Sequence, residues 1–252
     1  MSEYLFGKGK VYIGNRTASG KATRLRWAGD CSEFRIALSA DKREIKESHS
    51  GQNLTAATVN VGKSATLNIN LREFTIDNLS LALYGVPVSQ IAGDVEDEVL
   101  GTVEIGDVVP FSKTNVSDVM VVDSSAEPVE LVAGTHYILN ARHGSIEIKA
   151  LPEGVTQPLK ASYSYGEAKS VAAFAQQTSD KFVRYEGINL ATNEAVVIEC
   201  YKVRFNPLQE LSAIGDDFGA LQMEADILID STKAADGDLG QFARIVKVAI
   251  DE

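Results

Sequence analysis

The side chains best suited to chemistry in this chain are His49, His136, His143, Cys31, Cys200, Asp123 and the adjacent pair Asp216-Asp217. A histidine metal site needs further ligands at a short, regular spacing, and each histidine here stands alone beside turn-forming residues. Gly7 and Gly9 in GKGKVYIG lack the spacing and strand-to-helix setting of a phosphate-binding loop, so they read as the entry to a strand. There is no G-x-S-x-G elbow, and no Ser, His and Asp grouping singles out a nucleophile with its base. Asp216-Asp217, between Gly215 and Gly219, lacks the alternating ligands of a calcium loop. Neither that pair nor Asp123 reads as the two carboxylates of a glycosidase. Cys31 and Cys200 lie far apart in strand-like runs, as small buried side chains do, and form no disulfide framework. The expectation is a protein that is not an enzyme, with no cofactor and no metal.

The elements that hold these residues are mostly strands. Between positions 33 and 48, EFRIALS and REIKES flank Ala40-Asp41-Lys42, which predicts a hairpin turning there. Residues 48–57, SHSGQNLTAA, form a polar loop too long for a minimal turn, a kind of segment that makes contacts. Residues 58–71 alternate, with Asn60, Thr66, Asn68 and Asn70 on one side and Val59, Val61, Leu67 and Ile69 on the other. At about 3.3 Å per residue this strand would run roughly 46 Å. Thr75 as N-cap, Asp77 in the first turn and Gly85 as terminator predict one helix over 75–84, with Ile76, Leu79, Ala82 and Leu83 turned toward a sheet.

Residues 94–107 are acid-rich and predict a solvated face. Closely spaced β-runs over 108–166, with Pro110, Pro128, Pro152 and Pro158 at their edges, predict a small inserted module. Residues 167–179 read as a connector or short helix, and strands over 182–190, 196–205, 219–230 and 242–250 close the parent domain. In the third of these, Leu221, Met223, Ala225, Ile227 and Ile229 share one face while Gln222, Glu224, Asp226 and Asp230 share the other, with Leu228 the one break. The expected fold is all-β, a β-sandwich or barrel with one packed α-helix. Residues 1–106 and 167–252 form the main domain, with an N-terminal arm over 1–30, and 107–166 form an inserted small β domain.

Composition narrows the partners. At 252 residues and 44% hydrophobic, the chain can bury a sizeable core. A net charge of −11 opposes stable binding to a nucleic-acid backbone, which needs Lys and Arg to neutralise phosphates. The charge is uneven: Lys8, Lys10, Arg16, Lys21, Arg24 and Arg26 face only Glu3 and Asp30 in the first thirty residues. A basic arm on an acidic body suits a head-to-tail contact between identical subunits. Trp27, Tyr4, Phe6 and Tyr12 near that arm read as anchors for such a contact and not as a stacking platform for single strands. MSEYLFGKGKVYIG lacks a signal peptide's apolar core, and no apolar run approaches the ~20 residues of a membrane helix. Synthesis and assembly in the cytoplasm, with no membrane, is the expectation.

Residues 10–102 and 170–250 resemble the bacteriophage major tail tube protein family in order and texture. The likeness is carried by LREFTIDNLSLALYG, YEGINL and YKVRFNPLQELSAIGDDFGALQMEADILID. In that family six subunits form a ring, rings stack into a hollow tube, and β-sheets line the channel through which the genome is ejected. The resemblance implies a structural virion protein of the tail, assembled in the host cytoplasm. Its partners would be its own copies and the tape measure, tail terminator and distal tail proteins, with DNA passing without stable binding. It implies lumen-facing acids, placed here at Glu224, Asp226, Asp230, Glu44 and Glu47. It also implies ring-stacking contacts from the loop Ser48, His49, Ser50, Gly51, Gln52, Asn53 and Leu54, and from Lys8, Lys10 and Arg16. The inserted module would sit on the tube exterior, where it would compete with a sheath, so a non-contractile tail is expected. The alternative is a two-domain β-sandwich adhesin or surface-binding protein.

Overall fold

The computed structural model describes residues 4–234 and 238–248. Its elements are β1 (Gly7–Arg16), β2 (Ala22–Trp27), β3 (Cys31–Lys46), β4 (Thr55–Leu71), α1 (Ile76–Ala82), β5 (Val86–Gln90) and β6 (Gly93–Gly101). There follow β7 (Val108–Pro110), β8 (Val116–Val122), β9 (Glu130–Leu131), β10 (Tyr137–Asn140), β11 (Ser145–Ile148) and β12 (Leu159–Tyr165). The chain closes with β13 (Ala168–Ala172), β14 (Lys181–Asn189), β15 (Glu194–Phe205), β16 (Leu221–Ile227) and β17 (Ala243–Val248). The protein is therefore all-β with one helix among the described residues. Of the expected closing strand over 242–250, Ala249 and Ile250 lie outside those residues.

The chain divides into two compact units, Met1–Val86 with Val171–Glu252, and Pro87–Ser170. The first is built on one antiparallel sheet in the order β2-β1-β14-β15-β16-β4-β3, with β17 also pairing β15. The sheet folds over on itself. Val11, Ile13 and Val183 from one end thereby share a core with Leu67, Ile69, Leu71, Phe205 and Leu221 from the other, and Phe34 stacks on Tyr185 with ring centroids 5.3 Å apart. Each of these aliphatic side chains contributes roughly 1.5–3 kcal/mol by leaving water.

Residues 1–30 are not a free arm, as far as they are described. β1 pairs β14 along nine residues and β2 along its other edge, so both strands belong to the sheet.

The helix begins as predicted, with Thr75 Oγ1 accepting from the Asn78 N–H. Its end differs in mechanism. Tyr84 takes the left-handed conformation at φ +49°, and the Gly85 N–H closes the turn onto the Ser80 carbonyl. Gly85 is required for space instead, because a Cβ there would lie 2.2 Å from Val171 Cγ1. Tyr84 is fixed from the other side, its hydroxyl donating to the Phe205 carbonyl at 2.6 Å.

The second unit is wider than the 107–166 expected from sequence. A three-stranded sheet, β10-β11-β7, and a four-stranded sheet, β6-β12-β8-β9, enclose a core of Val121, Leu131, Tyr137, Ile146, Ile148 and Leu159. The acid-rich stretch, expected as a solvated face of the main domain, belongs to this second unit and contains β6, an edge strand paired with β12. Asp94, Glu96, Asp97 and Glu98 there discourage edge-to-edge pairing with another chain, which explains a strand so rich in charge. Residues 168–172, read as part of a connector or helix, form β13, which pairs with β5.

Candidate functional site

The most unusual feature of the first unit is the length of β3 and β4. The turn expected at Ala40-Asp41-Lys42 is absent: β3 runs unbroken for 16 residues beside 17 of β4. The polar Asp41 and Lys42 sit opposite a bulge, where Asp41 pairs Gly62 and Lys42 pairs Asn60, leaving Val61 as the extra residue. The chain reverses only at 47–54.

Near the core, Ala65, Leu67, Ile69 and Leu71 are buried. Beyond it, residues 37–46 and 55–64 form a ribbon about 33 Å long with almost no buried side chain. Leu38 is 79% exposed, and Ile45, Val59 and Val61 are each more than half exposed. Alternation through 58–71 had placed Val59 with the core-facing side chains. The bulge reverses that phase, so that Val59 pairs Arg43 and Ala57 pairs Ile45 on the opposite face.

The ribbon tip is organised by Glu47. Its carboxylate accepts the amide hydrogens of Ser50 at 3.0 Å and His49 at 3.2 Å, and the Ser50 hydroxyl also donates to it. His49 Nδ1 lies 2.8 Å from it. The Ser50 hydroxyl and amide are the main reason this carboxyl sits below the ordinary glutamate range. With Gly51 and Asn53 in the left-handed region, the loop 48–54 is a preformed turn. Glu47 is thus engaged in holding that turn and is not a free lumen group.

The other expected acids separate. Glu224 and Asp226 are exposed on β16, on the sheet face opposite the core. Glu44 pairs Thr58 and, by the alternation of β3, lies on the other face. Asp230 is wholly buried, beyond the end of β16, with Arg16 Nη2 at 2.5 Å from its Oδ1. Burial pushes the Asp230 carboxyl up, and the hydrogen bonds from Thr232 and Arg16 outweigh that and hold it below its ordinary value. Asp230 therefore leaves the lumen set, and Arg16 leaves the stacking set, because each is the other's partner in the interior. Lys8 and Lys10 remain exposed on β1, with Lys10 Nζ 5.3 Å from the centre of the Trp27 ring.

Nor is the polar face uniformly acidic. Asp226 is flanked by Arg204 on β15, and Glu224 by Asn68, which is flanked in turn by Arg35. Arg204 donates to Asp180 at 2.6 Å and Arg35 lies 3.3 Å from Glu33, so both cations are already paired. Sequence alternation found the acids on β16; the bases come from other strands, and only the strand order brings them alongside.

The side chains suited to chemistry are spread apart. His136 Nδ1 accepts from the Val132 N–H and His143 Nδ1 lies 2.8 Å from Asn140 Oδ1. Among the described residues no three His, Cys, Asp or Glu side chains converge on a metal position, and no helix is long and apolar enough to cross a membrane.

Fold and surface together define a two-unit all-β protein whose most distinctive surface is an uncovered ribbon. The chain belongs to the family described as "Protein of unknown function UCP028589", whose model matches residues 4–246. No curated protein matches it.

Proposed function

We propose that this chain is a structural subunit of a bacteriophage tail tube. Six copies close into a ring, rings stack head to tail into a hollow tube, and the viral genome passes through the bore. The observation that carries this reading is the β3–β4 ribbon, which holds Leu38, Ile45, Val59 and Val61 in solvent with no core of its own chain behind them. A two-stranded ribbon is marginally stable alone in water, and its open edge and apolar side chains are satisfied when neighbouring copies cover them.

In this reading the preformed tip 48–54, with Lys8 and Lys10, meets the adjoining ring. Glu224 and Asp226 face the bore, where Arg204 and Arg35 are neutralised by Asp180 and Glu33 and offer little attraction to passing phosphates. The tape measure, terminator and distal tail proteins would meet the ends and interior of the tube.

Sedimentation velocity of the purified full chain over a wide concentration range tests the reading. A shift from monomer to a six-copy species and larger assemblies is expected. A chain that stays monomeric to its solubility limit contradicts it.

A further inference from the structure

A cleft of about 380 Å³ in the first unit is lined by Arg24, Arg26 and Lys181 together with Asp77, Asn15 and Gln177. Its cations are poorly compensated. Lys181 Nζ donates to Asn15 Oδ1 at 2.9 Å, and Arg26 Nη1 to Asn78 Oδ1 at 2.8 Å, both neutral partners. The nearest carboxylate oxygen, on Asp77, lies 3.8 Å from Arg26 Nε. Arg24 has no hydrogen bond or ion pair among the described residues. Burial lowers the Lys181 pKa, with the neighbouring Arg26 charge adding to the effect, and burial lowers that of Arg26 as well.

The backbone is strained where the cleft is built. Strand β2 bulges against Gly14, whose missing side chain leaves room, since a Cβ there would lie 2.7 Å from the Thr23 carbonyl oxygen. Arg24 takes φ +51° in that bulge. A left-handed conformation costs a non-glycine residue on the order of 1 kcal/mol, and such strain gathers where function requires it.

The complementary surface is the loop over 206–220. It stands over a cavity of about 900 Å³ above its own sheet. Ile214 is 94% exposed and Phe218 is fully so. Between them Asp216 and Asp217 are exposed, with no hydrogen bond or ion pair among the described residues. The cleft thus carries three cations and one carboxylate with apolar surface from Leu81 and Tyr84, and the loop carries two uncompensated carboxylates between the apolar Ile214 and Phe218.

We propose that the cleft is a carboxylate-binding site filled by the Asp216-Asp217 loop of a second copy of this chain. The inference rests on the tube-subunit reading and names one contact within it. Two different patches of one molecule that fit each other make a head-to-tail interface, which closes into a ring when the rotation allows. Charge complementarity of this kind sets partner orientation and speeds encounter.

The test reverses charge on each side separately, as Arg24→Glu with Lys181→Glu in one full-length protein and Asp216→Lys with Asp217→Lys in another. Circular dichroism verifies folding, and sedimentation measures self-association. Each variant alone is expected to need about tenfold or more the parent's concentration to associate, and the parent's association should weaken with salt. Mixing the two variants one to one should restore association, because alternating copies then place opposite charges at every contact. If the parent assembles and the variants assemble equally well, or the mixture fails to recover, the cleft assignment is overturned while the tube reading stands. If the parent never assembles, the tube reading falls, and this contact falls with it.

Discussion

Arg16 at the end of β1 and Asp230 beyond the end of β16 form a buried ion pair, Nη2 to Oδ1 at 2.5 Å, that ties together segments 214 residues apart. The pairing is single-pronged, since Arg16 Nε and Asp230 Oδ2 have no hydrogen-bond partner. Removing one partner strands the other's charge in the interior, so Asp230→Asn should lower unfolding free energy by about 3 kcal/mol. Replacing both, as Arg16→Met with Asp230→Leu, should cost less than the single change. Urea unfolding midpoints of the three proteins decide it; an Asp230→Asn protein as stable as the parent contradicts the pair's importance.

The same pair has a pH signature. The Asp230 carboxyl lies below its ordinary value of 3.8 in the folded chain. Its stabilising contribution is therefore full above pH 3.8 and fades as pH falls through the lower folded value. Asp230→Asn should flatten that part of the stability–pH curve.

The ribbon should matter for association and not for folding. Ile45→Asp and Val59→Asp replace exposed side chains, so unfolding free energy of the separate subunit should move by less than about 0.5 kcal/mol. Association, read by sedimentation, should weaken about tenfold or more, as expected for apolar groups buried between copies. Loss of folding in either variant would show that the ribbon's apolar residues serve their own chain.

In the second unit, Asp123 is held at a pKa of about 2, chiefly by the Val129 and Thr156 amide hydrogens at 2.7 and 3.0 Å, with Ser125 adding to it. A depressed carboxyl stabilises above its unfolded value of 3.8 and loses that effect as pH falls through about 2. Amide exchange at Val129 and Thr156, corrected for intrinsic rates, should accelerate as pH drops from 4 toward 2, while Asp123→Asn should exchange quickly throughout.

Thiol chemistry should separate the two cysteines. Cys200 is fully buried and its thiol is pushed up to about 12 by burial, so it should resist alkylation until the chain unfolds. Cys31 is half-buried and also raised, by burial first, and should react more slowly than a free thiol yet in the native state. Mass spectrometry after timed alkylation reads both.

Much of the fold was legible because local rules and tertiary structure agree. Thr75 caps the helix, and Leu221 through Ile227 alternate in the structure as they do in the sequence. The misreadings share a physical cause. Ala40-Asp41-Lys42 has turn chemistry, yet at a bulge polar residues are as suitable as at a turn, and the ladder to β4 passes through them. Asp230 follows the acidic alternation of β16 in sequence, but the chain leaves the strand at Ile227, and a partner 214 positions away decides its surroundings. The cationic cleft was partly visible as Arg24 and Arg26 in ATRLRW. Lys181 joins them only through the pairing of β1 with β14.

Electron microscopy of the purified protein at high concentration tests the central claim most directly. Annular particles with six-fold symmetry, stacking into tubes with an open bore, are the predicted result. Fields of separate, ring-free particles under every assembly condition, with the β3–β4 ribbon still open to protease, would contradict it.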